Sequence, residues 1–84
     1  MAMLAFHTRA STMNVVIYTR NGCHLCEDAE ALLKAQGLTP TLIDVDADEA
    51  LRKRFNECVP VVEFDGKIRF RGRVDPVLLK RLLR

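Results

Sequence analysis

The chain has 84 residues, a formal net charge of +2 and 49% hydrophobic residues, which leaves room for one small domain and excludes two. A domain of this size buries only about 60% of the surface its unfolded chain exposes, so a large internal cavity is excluded and a compact surface site is expected. No stretch approaches the roughly 18 consecutive apolar residues of a membrane helix, because Arg20, Glu27 and Lys34 interrupt every candidate.

Met1 to Met13 hold one short apolar run, Met3-Leu4-Ala5-Phe6, followed by His7 and Arg9. That order is not the basic-then-apolar order of a secretory signal, so these residues read as a loose extension, or an artefact of the start site, before a domain over residues 14–84. Asn14-Val15-Val16-Ile17-Tyr18 is a β-branched run without alternation, which predicts a central strand covered on both faces. The turn Thr19-Arg20-Asn21-Gly22 leads to a helix whose apolar face is Leu25, Ala29, Leu32 and Leu33, closed by Gly37. Thr41-Leu42-Ile43-Asp44-Val45 predicts a second strand, and a strand-helix-strand order this short implies a parallel crossover. Asp46 followed by Glu49 reads as a capping box for a short helix through Ala47, Leu51 and Phe55. Val61 to Phe64, the turn dipeptide Asp65-Gly66 and the alternating Lys67-Ile68-Arg69-Phe70-Arg71 predict a β-hairpin. Asp75 as N-cap and Pro76 as first residue then open a terminal helix with Leu78, Leu79, Leu82 and Leu83 on its apolar face. The predicted order is β-α-β-α-β-β-α, an α/β fold.

Charge divides along the chain: residues 1–51 carry three basic and seven acidic side chains, residues 52–84 ten and four. The groups Arg52-Lys53-Arg54, Arg69/Arg71/Arg73 and Lys80/Arg81/Arg84 could attract an anionic partner, a carboxylate-bearing small molecule or nucleic acid, but read first as a solvated face. Nucleic-acid surfaces interleave such charges with exposed aromatics, and one Tyr and four Phe are all the chain has. Neither a nucleic-acid nor a membrane partner is expected, and a monomer is.

Cys23-His24-Leu25-Cys26 carries the chemistry. A cysteine at a helix N-terminus faces unpaired backbone N–H groups and the positive end of the dipole, which favour thiolate over thiol. Cys23 is therefore the expected nucleophile. Cys26, one turn along on the side of Leu33, is less exposed yet near enough to bond Cys23, and would resolve a mixed disulfide. His24 and Arg20 are auxiliary candidates that could add positive charge beside Cys23; each equally fits a solvated surface residue. Cys58 is either a buried, inert side chain or a third thiol beside the pair. Pro60 fits the start of a strand, and its isomer is open at this point. An odd count of three cysteines without a signal argues for a reducing, cytoplasmic compartment.

Tyr18-Thr19-Arg20-Asn21-Gly22-Cys23-His24-Leu25-Cys26, with Val59-Pro60-Val61 and the hairpin, resembles a glutaredoxin of the thioredoxin superfamily across residues 14–84. The resemblance implies a thioredoxin-like fold with a mixed four-stranded sheet flanked by helices. It also implies Cys23 as attacking thiol, Cys26 as resolving thiol and cis Pro60 packed opposite them. Arg20, Val59 and Pro60 would bind the substrate, Val59 through its backbone and Arg20 through a substrate carboxylate, with Arg73 or Asp75 near the substrate's other end. His24-Leu25 replaces the family's usual Pro-Tyr, Cys58 its usual Thr, and Gly72-Arg73 its Gly-Gly pair. These departures leave the reductant open between glutathione and a thioredoxin-type system. The expected activity is thiol-disulfide exchange on a disulfide-containing protein or a small thiol, with no tightly bound cofactor and no metal. The alternative is a metal or iron–sulfur module using Cys23, Cys26 and Cys58 or His24, although the second ligand pair of a structural zinc site is absent. A binding module that docks through its basic half is a third reading.

Overall fold

The computed structural model describes residues 13–56 and 58–83. β1 (Val15–Thr19) leads through α1 (His24–Ala35) to β2 (Thr41–Asp44), which pairs parallel to β1. A 3-10 turn (Val45–Ala47) and α2 (Glu49–Phe55) follow, then the hairpin of β3 (Val61–Phe64) and β4 (Lys67–Arg71), and finally α3 (Pro76–Leu82). The predicted order is the observed one. The strands form a mixed sheet in the order β2-β1-β3-β4, with β1 central. Of the expected extension over residues 1–13, only Met13 lies within the described residues, and it packs against the core. No helix among the described residues is long and apolar enough to cross a membrane.

Period-two geometry sends alternate strand residues to opposite faces, and the sheet has a core on each. Val15, Ile17, Val62 and Phe64 join Ala29 and Leu33 of α1 and Leu79 of α3 in the larger cluster. Val45, Phe55 and Val61 form the smaller one, against which Tyr18, Leu51 and Ile68 are partly buried. The hairpin turn holds Asp65 at φ 53° and Gly66 at φ 87°, the left-handed pair that matches strand twist and that Asp-Gly adopts readily.

Four sequence expectations need correction. Alternation along β4 would put Ile68 and Phe70 on one face, but the register shifts between Val62 and Glu63, which pair with Phe70 and Ile68 respectively. The extra residue, Arg69, forms a bulge that re-aims the strand, so Phe70 enters the larger cluster and Ile68 packs on the smaller. Secondly, α2 is capped by Asp48, whose carboxylate accepts from the Ala50 and Leu51 N–H groups. Asp46 stands outside the helix in the 3-10 turn, where a cationic partner takes its carboxylate. Thirdly, Leu25 on α1 is 38% exposed, since the stripe the helix buries is Cys26, Ala29 and Leu33. Lastly, Leu78 and Leu82 of α3 are exposed and Leu79 alone is buried. A seven-residue helix can bury only a narrow stripe. Gly37, Asp75 and Pro76 act as expected: Gly37 has φ +83° and closes α1 on Lys34, and Asp75 caps α3.

Edge strand β4 exposes Lys67, Arg69 and Arg71, a charge pattern that discourages pairing with another chain. Burial, and next the Glu63 carboxylate beside it, push the Tyr18 phenol above its usual 10.0, against a smaller opposite pull from Arg54. A phenol held neutral more firmly in the folded state adds stability that is complete below pH 10.0 and lost as pH climbs through the raised value. The chain has one tyrosine, so the phenolate absorbance reads Tyr18 alone. Its midpoint is expected above 10.0 in the folded protein and back at 10.0 in denaturant; equal midpoints in the two states would refute the packing of this ring.

Candidate active site

The register that pairs Tyr18 with Val61 and Thr19 with Asp44 brings three chain segments to one end of the sheet. These are the loop from β1 to α1, the turn after β2 and the segment leading into β3. Gly22, at φ +78°, lets the first of them reverse sharply enough for the Cys23 N–H to reach the Arg20 carbonyl at 3.3 Å. Cys23 is the N-cap of α1, in extended backbone geometry, and its Sγ accepts the Cys26 N–H at 3.1 Å.

Sequence reasoning expected Cys23 at a helix start, and the geometry adds which donor meets it. In a reduced site this N–H and the helix dipole would stabilise charge on Cys23 Sγ. Cys23 and Cys26 are joined in a disulfide, with 5.2 Å between their Cα atoms. Cys23 is partly exposed, whereas Cys26 is buried at 3%. Cys23 is thus the more accessible sulfur of the pair.

His24 projects into solvent with its side chain 94% exposed, its Nδ1 4.0 Å from Glu27 Oε1. The imidazole faces this carboxylate on the outer surface of α1. Leu25, between the cysteines, starts an open groove of about 480 Å³ that runs along α1 and is bordered by Leu32, Arg73 and Pro76. Asp75 is occupied in capping α3.

Arg20 is the most heavily engaged side chain of this end. Its Nε and Nη2 donate to the two oxygens of Asp46 at 2.8 and 3.0 Å. Nη2 also donates to Asn56 Oδ1 and Nη1 to the Asn56 carbonyl, each at 3.0 Å. The guanidinium thus ties the loop that carries Cys23 to the turn after β2 and to the end of α2. Asp46 and Asn56 were not legible as its partners. They lie 26 and 36 residues away, and no local pattern encodes such pairs; opposite charge was the only signal for Asp46.

The Val59–Pro60 peptide is cis and Pro60 is fully buried. The Gly72 N–H bridges the carbonyls of Cys58 and Pro60 at 2.9 and 2.8 Å, which fixes this segment against the strand end. Val59 is half-buried at its rim. Cys58 packs against the smaller cluster of Val45, Phe55 and Val61 on the second face of the sheet, so its side chain has a packing role. Among the described residues, no group of three His, Cys, Asp or Glu side chains is placed to hold a metal ion. The metal reading of Cys23 and Cys26 with Cys58 or His24 is not assembled.

The family model for the Glutaredoxin-like domain (DUF836) matches residues 14–84. A Nitrosomonas europaea protein solved by NMR is similar at 28% identity and a TM-score of 0.72, over 83% of this chain and 89% of its own. An X. campestris protein solved by X-ray diffraction gives 28% and 0.72, over 82% and 93%. The glutaredoxin of Archaeoglobus fulgidus gives 25% and 0.63, over 96% and 94%. Among curated proteins no sequence matches significantly. Together with the mixed four-stranded sheet, these likenesses make the fold thioredoxin-like.

Proposed function

The chain belongs to the glutaredoxin-like domain family, and from that premise we propose that it is a thiol-disulfide oxidoreductase working through Cys23 and Cys26. The observation that carries the proposal is the asymmetry of the pair. Cys23 Sγ sits at the start of α1 with a backbone N–H donated to it, and Cys26 is buried behind it.

In the reaction, the Cys23 thiolate attacks one sulfur of a substrate disulfide and expels the other as a thiolate. The Cys26 thiolate then attacks Cys23 Sγ of the mixed disulfide, releasing the second substrate thiol and leaving the Cys23–Cys26 disulfide. The substrate gains two electrons and two protons, and the protein loses them. A thiol reductant, glutathione or a thioredoxin-type protein, returns the dithiol by the reverse exchange. The expected substrate is a disulfide-containing protein or a small thiol, and the expected setting is a cytoplasmic monomer without a resident cofactor. Val59 and Pro60 line the segment beside which the substrate chain would lie. Arg20 holds the Cys23 loop in place through Asp46 and Asn56. His24, turned toward Glu27, has the least contact with the chemistry. Cys58 supports the segment from below.

Equilibration across a series of glutathione redox buffers, followed by acid quench, alkylation and peptide mapping, tests the reading. A single reversible transition between the Cys23/Cys26 dithiol and their disulfide is expected, with Cys58 alkylated throughout. Cysteines that remain reduced and alkylate like free thiols across the whole series would overturn it.

A further inference from the structure

A guanidinium has five N–H bonds, and Asp46 and Asn56 use four of Arg20's. Asp46 takes Nε and Nη2 in the two-pronged geometry with which a carboxylate binds arginine best. Asn56 takes the other two-donor edge, Nη1 and Nη2, through its carbonyl and Oδ1, so neither edge is open to another carboxylate. Arg20 lies three residues before Cys23, its carbonyl holds the Cys23 N–H, and Asn56, which it also binds, lies three residues before Val59. The guanidinium therefore ties together the Cys23 loop and the end of α2, two of the segments that meet at this end of the sheet, and its fork is already filled from within.

The surroundings of the pair add to the effect. Asp44 and Asp48 flank Asp46 on the same exposed turn, each accepting backbone N–H groups. Once Arg20 and Asp46 cancel, these carboxylates are the formal charges left on that turn. The Arg20–Asp46 pair is partly exposed, with side chains at 30% and 42%, so it can influence an arriving charge.

We propose that Asp46 is a specificity-determining residue: by closing the Arg20 fork it disfavours disulfides that carry a carboxylate next to the sulfur and favours uncharged or cationic ones. This inference rests on the oxidoreductase reading above. It also identifies the substrate class of the site as disulfides within polypeptide segments poor in acidic residues, rather than anionic small thiols.

The test uses two small disulfides of similar size, dithiodiglycolate with a carboxylate beside each sulfur and hydroxyethyl disulfide with none. Each oxidises the reduced protein by the same balanced steps: Cys23 displaces one thiolate, Cys26 displaces the other, and the protein dithiol becomes a disulfide. Rates are read by intact mass after acid quench. The quantity compared is the ratio of the anionic rate to the neutral rate, in which intrinsic reactivity cancels between variants.

Asp46→Asn is expected to raise this ratio by roughly three- to fivefold, as releasing one exposed ion pair allows. The gain should shrink as salt is added. Glu49→Gln removes a carboxylate from the exposed first turn of α2 without touching the Arg20 fork and should leave the ratio close to the wild-type value. Asp46→Ser repeats the charge change should Asp46→Asn not fold. A ratio unchanged in the folded Asp46 variants, or both rates falling together, overturns the proposal and leaves Asp46 a structural tie. Wild-type protein that is oxidised to a Cys23–Cys26 disulfide by neither reagent overturns the oxidoreductase reading itself.

Discussion

Cys23→Ser protein is expected to lose dithiol turnover by roughly a thousandfold or more, as removal of a covalent nucleophile does. A serine hydroxyl at the N-cap still accepts the Cys26 N–H, so α1 and the fold should be retained, which circular dichroism and urea unfolding would verify. The loss is then chemical. Cys26→Ser supplies the contrast: its Cys23 can still attack and expel the first thiolate, but without added thiol nothing displaces the second. That variant should accumulate a one-to-one mixed disulfide at Cys23, visible by mass, while Cys23→Ser accumulates none. The order of the two roles follows from exposure, since Cys26 at 3% is screened from an incoming disulfide and thiol exchange requires access. If Cys23→Ser turned over disulfides as the wild type does, or if Cys26 formed the mixed disulfide instead, the assignment of attack to Cys23 would be wrong.

The features that support this assignment were legible because they are local. A cysteine four residues after a strand, followed by an apolar stripe at helical spacing, reports its own position at a helix start. Asp65-Gly66 and Asp75-Pro76 report a turn and a cap in the same way, each within two residues. What escaped the sequence was set by contacts between distant segments. The Arg69 bulge depends on which residues β3 presents, so the alternation of β4 by itself sends Phe70 to the wrong company. Asp46 resembles a cap as well as Asp48 does; what separates them is Arg20, on another loop. The exposed Leu25, Leu78 and Leu82 look like core residues in a periodicity count, because periodicity gives the width of an apolar face and not how much of it the rest of the fold covers. The cis state of the Val59–Pro60 peptide was implied by family resemblance alone, since nothing in the neighbouring residues distinguishes it.

The same dependence on distant contacts makes Phe55 the expected weak point of the site's architecture. α2 has seven residues and buries one of them, Phe55, at 0% exposure. Its ring lies 4.8 Å from that of Tyr18, and the Arg54 guanidinium lies 4.7 Å from its centre. Phe55→Ala should cost about 3–5 kcal/mol, the usual range for emptying a buried aromatic position. Small domains have only about 5–15 kcal/mol in total, so the urea midpoint should fall steeply. The consequence reaches the chemistry because Asn56, the next residue, holds Arg20, and Arg20 holds the Cys23 loop. Without its one buried anchor, α2 has little reason to keep that end of the clamp in place. Amides of α2 should therefore exchange faster, and the rate of Cys23 oxidation by hydroxyethyl disulfide should change with them. Phe55→Leu keeps most of the volume and should cost about 1 kcal/mol, so it serves where the alanine variant does not fold. An alanine variant that loses under about 1 kcal/mol would mean that the smaller cluster contributes little and that the clamp is held by its hydrogen bonds alone. A loss in the expected range, with the leucine variant close to wild type in oxidation rate, would place the rigidity of the active end in the packing of one ring on the far face of the sheet.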